Sequence, residues 1–406
     1  MKGCPIGIDI PGFIRLLREG NVTAAYEKIK EQNPLPSICG RICSAPCELS
    51  CILTEEGAPI GIRALERYAS DFGRTKPVKR SSIVGNSKKV AIVGSGPTGL
   101  SAAGELAKKG YQVTIFESLD RPGGVLRYGI PEFRIPKKIL DQEIQDIKSL
   151  GVEIETNFYV GQTTTLEELS QKGFSAILLA MGAGLPKFMD LPGANLGGVY
   201  YGEEFLMRVN LTKSKIFNRV KADFFLGQKV AVIGSGNTAL DCARTAKRLG
   251  REVTLIFRRT EDEMRVRKQE REWSKEEGIV FESLVKPMEI VAGQNNFVSG
   301  VRCIRMDYAE TETSDQWELT AVPDSEFVLD VDTVVIAIGH RPNSLISRMV
   351  PNLKINEDGT IVVDEKNQTS ISGVFASGNI VTNAGPVVEA IAAGKQAAEN
   401  INRYLR

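Results

Sequence analysis

A chain of 406 residues is too long for a single hydrophobic core and predicts two or three domains. Its 51 basic and 50 acidic residues nearly cancel, which argues against a polyelectrolyte partner such as nucleic acid. A hydrophobic share of 42% with 25% charged residues is ordinary for a globular protein. The longest apolar stretches, Ala176–Met181 and Val334–Ile338, are much shorter than a membrane span and read as buried strands. Met1–Phe13 has no continuous apolar core and is no secretory signal. A cytoplasmic location is expected, and there the seven cysteines are not structural disulfides.

Residues 1 to about 75 hold five of the seven cysteines among short helical patterns, one over Ile10–Glu27 and another over Ile62–Phe72. The polar, basic segment from Lys76 to Lys88 reads as a linker. From Lys89 onward, short apolar runs alternate with helix-length segments, the pattern of a parallel α/β sheet. An internal repeat organises this part: Lys89-Val-Ala-Ile-Val-Gly-Ser-Gly returns as Lys229-Val-Ala-Val-Ile-Gly-Ser-Gly. Each copy continues into a helix and a second strand, Gln112-Val-Thr-Ile-Phe in one and Glu252-Val-Thr-Leu-Ile-Phe in the other.

In the first copy the strand Val90–Val93 runs into Gly94-x-Gly96-Pro97-Thr98-Gly99 and a helix over Leu100–Lys109. Gly94 permits a tight turn, Gly96 lets backbone approach a pyrophosphate, and Gly99 lets helix and strand pack closely. Glu117, followed by Ser118, ends the second strand, where a carboxylate can accept from both ribose hydroxyls of an adenosine. The second copy reads Gly234-x-Gly236-Asn237-Thr238-Ala239, and its second strand ends in Phe257-Arg258-Arg259. Paired guanidiniums there can bind a 2′-phosphate that a carboxylate would repel, so NADP(H) is favoured over NAD(H). The alternative is that Arg258 and Arg259 form only a solvated basic turn.

With these motifs the chain resembles the small subunit of glutamate synthase and its relatives. They include the large subunit of bifurcating NADH-dependent ferredoxin:NADP oxidoreductase, sulfide dehydrogenase subunits and the N-terminal part of dihydropyrimidine dehydrogenase. The resemblance covers nearly the whole chain. Its most specific piece is Arg121-Pro-Gly-Gly-Val-Leu-Arg-Tyr-Gly-Ile-Pro-Glu-Phe-Arg-Ile-Pro-Lys, the family's loop along the flavin, which brings in Gly124, Val125, Arg127 and Ile130. Ala180-Met-Gly182, Ile336-Ala-Ile-Gly339-His340 and Gly373-Val-Phe-Ala-Ser-Gly378 also match. The resemblance implies an α/β fold with two Rossmann-like, glutathione-reductase-type nucleotide-binding domains and an N-terminal α-helical iron–sulfur domain. The expected boundaries are 1–80 for the iron–sulfur domain, 87–215 and 344–406 for the two parts of the FAD domain, and 216–343 for the NADP(H) domain. In the C-terminal flavin motif the family's Gly-Asp is Gly378-Asn379 here, which keeps an acceptor oxygen and loses a charge. Pro386 and Val387 open a helix whose N-terminus, in the family, faces the flavin and would stabilise negative charge on it.

Cys39, Cys43, Cys47 and Cys51 recur every four residues, with Pro46 interrupting a regular helix and Cys4-Pro5 standing upstream. This spacing is unlike a zinc ribbon. The resemblance implies two 4Fe–4S clusters. One takes the counterparts of Cys4, Cys43, Cys47 and Glu66, with Cys51 the runner-up for the fourth place. The other takes Cys51 and three upstream cysteines that have no counterpart in this chain, so either the protein carries one cluster or a partner subunit or further segment supplies the other. Cys39 matches a family cysteine that is usually not a ligand. The alternative is a set of reduced structural cysteines without metal. Cys242 and Cys303 read as core residues.

No redox-active cysteine pair follows Gly123-Gly124, and His340 is the sole histidine, expected to be structural or to touch a cofactor. No catalytic side chain is expected, because hydride transfer between nicotinamide and flavin needs no protein acid or base. The resemblance therefore implies an NADP(H)-dependent FAD and 4Fe–4S oxidoreductase that works as an electron-transfer subunit. Its partners would be other subunits of an oxidoreductase complex or ferredoxin, with an electron-bifurcating assembly among the options. The competing readings are a glutamate synthase small subunit, a stand-alone NADPH:acceptor reductase, and a scaffold whose nucleotides only stabilise an assembly.

Overall fold

Asp9 and Asn21 each accept a backbone N–H three residues on, from Gly12 and Ala24 at 3.1 Å, and so start two separate helices, α1 (Ile10–Arg18) and α2 (Val22–Lys30). The single pattern expected over Ile10–Glu27 is thus broken. Gly20 takes a left-handed backbone, with φ of 76°, and Asn21 restarts the chain. The computed structural model describes residues 3–54, 57–74, 88–212, 225–311, 314–342, 349–350 and 352–406. The expected linker at 76–87 lies outside them. Three more helices complete the N-terminal region: α3 (Pro36–Ile42), α4 (Pro46–Leu49) and α5 (Ile62–Phe72). Gly40 lets α3 lie directly on α5, since a Cβ there would sit 2.6 Å from the Arg67 backbone.

Contacts divide the chain into two compact units, 1–185 with 341–406, and 186–340. In the first, five parallel strands run in the order 374–376, 174–179, 89–93, 112–116, 153–155. In the second, the order is 199–201, 333–336, 229–233, 252–256, 280–282, again parallel. The two repeats therefore occupy equivalent central positions, with Lys89 paired to Gln112 and Lys229 to Glu252. Their strands are buried on both faces, which is why they read as continuous apolar runs. The strand Val199–Tyr201, expected with the flavin segment, pairs instead with Thr333–Ile336. The division accordingly falls at 185/186 rather than 215/216. Unit 186–340 also carries antiparallel strands over 285–292, 298–311, 314–321 and 327–330, which have no counterpart in the first unit's sheet. Among the described residues no helix is long and apolar enough to cross a membrane.

One buried carboxylate ties the N-terminal helices to the first nucleotide-binding sheet. Glu143, on the helix Lys137–Ser149, is fully buried. It accepts from Ser37 N at 2.9 Å and pairs with Lys30 at 3.0 Å and Arg74 at 3.5 Å. Asp146, one turn on, pairs with the same two cations at 3.1 and 2.9 Å. Burial alone would raise the Glu143 pKa, but Lys30, Arg74 and the Ser37 amide outweigh it and hold the carboxyl below its ordinary 4.5. A group depressed on folding contributes stability above its unfolded pKa, and that contribution is lost as pH falls through the folded value. Glu143→Gln should cost about 3 kcal/mol, the lower end for breaking a buried pair, because Asp146 still faces both cations. In urea unfolding followed by circular dichroism, the wild type should lose stability as pH falls below about 4.5, while the variant's profile is flatter. Parallel profiles would show that this carboxylate does not set the acid limb.

Candidate functional site

The helix α6 (Pro97–Lys108) begins at Gly96, which has no side chain to cap it, so its first amides face outward without a side-chain acceptor. Gly94 has φ of 101°, and a Cβ there would lie 2.7 Å from Ala180 O. At Gly99 a Cβ would lie 2.0 Å from Gly94 O. Gly96 differs from both: a Cβ would meet nothing within 4 Å, so open space lies over the amides. Two further segments close on the same helix start. Gly124, with φ of 49°, would place a Cβ 2.9 Å from Gly96 Cα, and Gly378, with φ of 78°, would place one 2.3 Å from Thr98 Oγ1. Bare backbone from 94–99, 123–124 and 378 thus meets at one helix N-terminus, which fits the pyrophosphate of a dinucleotide such as FAD.

Glu117 ends its strand buried, and its two oxygens are occupied by local donors. Ser95 N at 3.0 Å and Ser95 Oγ reach one, and Leu119 N at 2.9 Å and Ser118 Oγ at 3.3 Å reach the other. A ribose hydroxyl would therefore exchange with one of these donors. Ser95, which sequence reasoning passed over, is fully buried and also accepts from Gly123 N at 2.8 Å. It links the glycine turn, the carboxylate and the Arg121–Lys137 loop, and its only sequence signal was its place between two glycines. Within that loop Val125 is half-exposed. Arg127 is buried, donating to Pro122 O at 2.6 Å and pairing with Asp141, so its guanidinium is committed within the protein. Ile130 O accepts from Lys137 Nζ at 2.6 Å. Gly182 takes φ of 70° with no neighbour to its Cβ direction. Asn379 begins a short helix and donates to Gly385 O at 3.4 Å, just before Pro386 and Val387 open the C-terminal helix Val387–Leu405.

The second unit repeats the arrangement. The helix Asn237–Arg248 starts at uncapped Gly236, again with nothing within 4 Å of a Cβ, and Gly234 would place a Cβ 2.3 Å from Ala337 O. Asn237 is exposed at the first position, Thr238 partly exposed, and Ala239 fully buried where the first copy has Gly99. Arg258 and Arg259 are exposed, and neither makes an ion pair among the described residues. The following turn is organised by Glu263, which accepts from Thr260 N and Thr260 Oγ1 at 2.9 Å and from the Tyr308 hydroxyl. The Tyr308 and Thr260 bonds, with Arg259 nearby, hold that carboxyl below its ordinary pKa. Gly339 O accepts from Lys187 N at 2.9 Å. His340 Nε2 meets Glu203 Oε1, a residue that no motif marks. Burial raises Glu203 to about 7 and lowers His340, so the pair is driven toward its neutral, proton-sharing form.

In the N-terminal helices α3 ends at Ile42, Cys43 is its C-cap, and Ala45 with φ of 55° turns the chain into Pro46 and α4. That turn brings Cys43 and Cys47 to one buried cavity with Cys4, Cys39 and Glu66. Cys51 does not line it. Ala45 N donates to Cys43 Sγ at 3.3 Å, and Asn33 Nδ2 donates to Glu66 Oε1 at 2.8 Å. Burial pushes the Cys43 thiol up to about 12, Cys47 to about 11 and the Glu66 carboxyl to about 8. No Lys, Arg or His lines the cavity. Four thiols and a carboxyl line it, and groups held there can become ligands only if the bound group supplies positive charge, which suits an iron–sulfur cluster. Among the described residues no three acidic, cysteine or histidine side chains are grouped to hold a single metal ion. Ligands to a four-iron cluster reach separate irons and stand farther apart than ligands around one ion.

Comparison with known proteins agrees in extent with this organisation. The family model described as pyridine nucleotide-disulphide oxidoreductase matches residues 88–397, and that described as dihydropyrimidine dehydrogenase domain II, 4Fe-4S cluster, matches residues 1–78. The chain is 38% identical, over its whole length, to the NADP(+)-dependent formate dehydrogenase subunit beta of Moorella thermoacetica, spanning 60% of that protein. It is 35% identical over 99% of its length to the glutamate synthase [NADPH] small chain of Azospirillum brasilense, spanning 85% of that chain. Mycobacterium tuberculosis FprA, solved in complex with NADPH, shares the fold with a TM-score of 0.65 at 21% identity, over 79% of this chain and 85% of that one. The matched families make the cofactor classes a flavin and a pyridine nucleotide for the two parallel-sheet units and a 4Fe–4S cluster for the helical region. By the match along 88–397 and the near end-to-end identity with a small chain, the protein belongs to the pyridine nucleotide-disulphide oxidoreductase family, as a relative of glutamate synthase small chains with an N-terminal 4Fe-4S domain.

Proposed function

We propose that the chain is an electron-transfer subunit that passes hydride between NADP(H) and FAD, and single electrons through one 4Fe–4S cluster to or from a partner subunit. The observation that carries this reading is the convergence of Cys4, Cys43, Cys47 and Glu66 on one buried cavity that Val388 also lines. Val388 belongs to the first turn of the helix begun by Pro386 and Val387, so cluster cavity and expected flavin contact share one turn of helix. The bound nicotinamide, flavin and cluster supply the redox chemistry when present, and the protein supplies position and electrostatics.

The residues divide the work as follows. Gly94, Gly96 and Gly99 leave room for the FAD pyrophosphate over the α6 amides, and Glu117 holds the adenosine ribose in exchange for a local donor. Gly124, Val125, Ile130, Gly182, Gly378, Asn379, Pro386 and Val387 bound the rest of the flavin site, with Arg127 bracing its loop from inside. Gly234, Gly236, Asn237, Thr238 and Ala239 take the NADP(H) pyrophosphate, and Arg258 and Arg259 take the 2′-phosphate. Unit 186–340, with Gly339 near its end, is therefore the NADP(H) domain, and 88–185 with 341–406 the FAD domain. Glu66 is taken as the fourth ligand ahead of Cys51, a choice supported by Glu66 lining the cavity where Cys51 does not.

Names of relatives support the partner class. The formate dehydrogenase relative is a subunit and the glutamate synthase relative a chain of a larger enzyme. The partner is a second redox subunit, and ferredoxin is the small carrier that suits single-electron exchange. Seven free thiols favour the reducing cytoplasm.

Anaerobic titration should bleach the flavin with NADPH at far lower concentration than with NADH. Arg258→Ala with Arg259→Ala should erode that preference by about 10–100-fold, the worth of charge-assisted bonds to a phosphate. Equal response of the wild type to both nucleotides would defeat the NADP(H) assignment. Gly96→Val should fold normally, because φ of −68° suits any residue and its Cβ meets open space. Its side chain would fill the pyrophosphate space, and an overpacking cost of about 1–3 kcal/mol means roughly 10–100-fold weaker flavin retention. Full flavin content after desalting would place the dinucleotide elsewhere.

A further inference from the structure

Lys395 lies on the C-terminal helix, two turns beyond Val388, and is half-buried. Its ammonium donates to Ile6 O and to Gln32 O, each at 3.3 Å, and to Gln32 Oε1. Both receiving segments lead to expected cluster ligands. Ile6 sits in the turn closed by Gly7 N on Cys4 O at 3.0 Å, so holding Ile6 holds the Cys4 turn. Gln32 precedes Asn33, which is fully buried and donates to Glu66 Oε1 at 2.8 Å.

The helix that carries Lys395 is itself fixed. A Cβ on neighbouring Gly394 would sit 2.2 Å from Thr98 O, so the helix lies directly against the start of α6. Ser101 Oγ donates to Ile391 O at 2.8 Å and Ser377 Oγ to Ala393 O at 2.9 Å. The ammonium is thus delivered from a rigid element. Among the described residues it makes no ion pair with a carboxylate, and neighbouring Lys109 pairs with Glu399 instead. The ammonium faces carbonyls, with the Glu105 carboxylate acting on it at longer range and Cys4 near enough to interact, while the cluster cavity has no cationic lining of its own.

We propose that Lys395 is the positioning residue of the cluster site: one ammonium fixes the Cys4 turn and the Asn33–Glu66 pair together, and its unpaired charge favours the reduced, more negative cluster. This rests on the cluster reading above. Three consequences follow from the two roles. Removing both bonds and charge loosens the ligand set, removing charge alone lowers the reduction potential, and keeping charge in a longer side chain largely preserves it.

The test uses the full chain, reconstituted anaerobically with iron and sulfide, as wild type, Lys395→Met, Lys395→Gln and Lys395→Arg. Flavin content and circular dichroism report folding, and the readouts are iron retained after chelator treatment, the electron paramagnetic resonance lines of the reduced cluster, and its midpoint potential. Lys395→Met should lose iron faster than wild type, and Lys395→Met and Lys395→Gln should both show altered lines and titrate at more negative potential. Lys395→Arg should return toward wild type in all three. If Lys395→Met does not fold, Lys395→Gln, which keeps a neutral donor one bond shorter, carries the comparison. Wild-type lines and potential in the folded neutral variants, or an Arg variant as altered as the Met one, would overturn the proposal. A wild type that binds no cluster at all would overturn the cluster reading instead.

Discussion

Burying a carboxylate in an apolar interior is costly unless cations and amides compensate it, and this protein makes that cost the joint between two of its parts. Glu143 is buried on a helix of the first nucleotide-binding sheet, while the Ser37 amide, Lys30 and Arg74 that neutralise it come from the N-terminal helices. Separation would leave a charge without its partners on both sides. The cluster cavity inherits its placement from that joint. Cys39 and Cys43 follow directly from Ser37 along α3, and Val388 reaches the cavity from the C-terminal helix. An electron carrier needs its two redox sites at a constant separation, and a buried ionic knot with a single best geometry holds it better than apolar packing alone, which can slide.

The two parallel-sheet units show one backbone solution with two different edges. Both central strands turn through a left-handed glycine into a helix whose first residue has nothing to cap it, so amides and open space are presented together. At the end of the second strand the units differ. Glu117 is drawn inward by four local donors, whereas Arg258 and Arg259 stand exposed and unpaired among the described residues. A carboxylate that accepts from hydroxyls can be preorganised inside the protein. A site for a 2′-phosphate must leave its cations free for it.

Much of this was legible along the chain because it depends on local backbone needs. A glycine with positive φ, or one whose Cβ would collide with a carbonyl, cannot be replaced cheaply, so Gly94, Gly99, Gly234 and Gly378 mark their turns wherever they occur. Ser95, Asn33 and Lys395 were not legible. Their significance lies in partners far along the chain, and a lone serine, asparagine or lysine carries no periodic signal. The cysteine spacing was ambiguous for the same reason. A four-residue repeat places Cys39, Cys43, Cys47 and Cys51 on equal terms, and only the turn at Ala45 decides which of them face the cavity.

By itself the sequence determined the fold class, the repeat of two nucleotide-binding units and the sign of charge after each second strand, because those follow from residue type at adjacent positions. Tertiary structure alone decided where the units divide, since strand Val199–Tyr201 belongs to whichever sheet completes its hydrogen bonds, and that sheet is closed by residues 333–336. It also decided that Glu66 and not Cys51 lines one cavity with Cys4, Cys39, Cys43 and Cys47. Helix packing set that choice: α5 lies on α3 through Gly40 and turns Glu66 into the cavity, and no property of the four-residue cysteine spacing encodes the crossing of two helices.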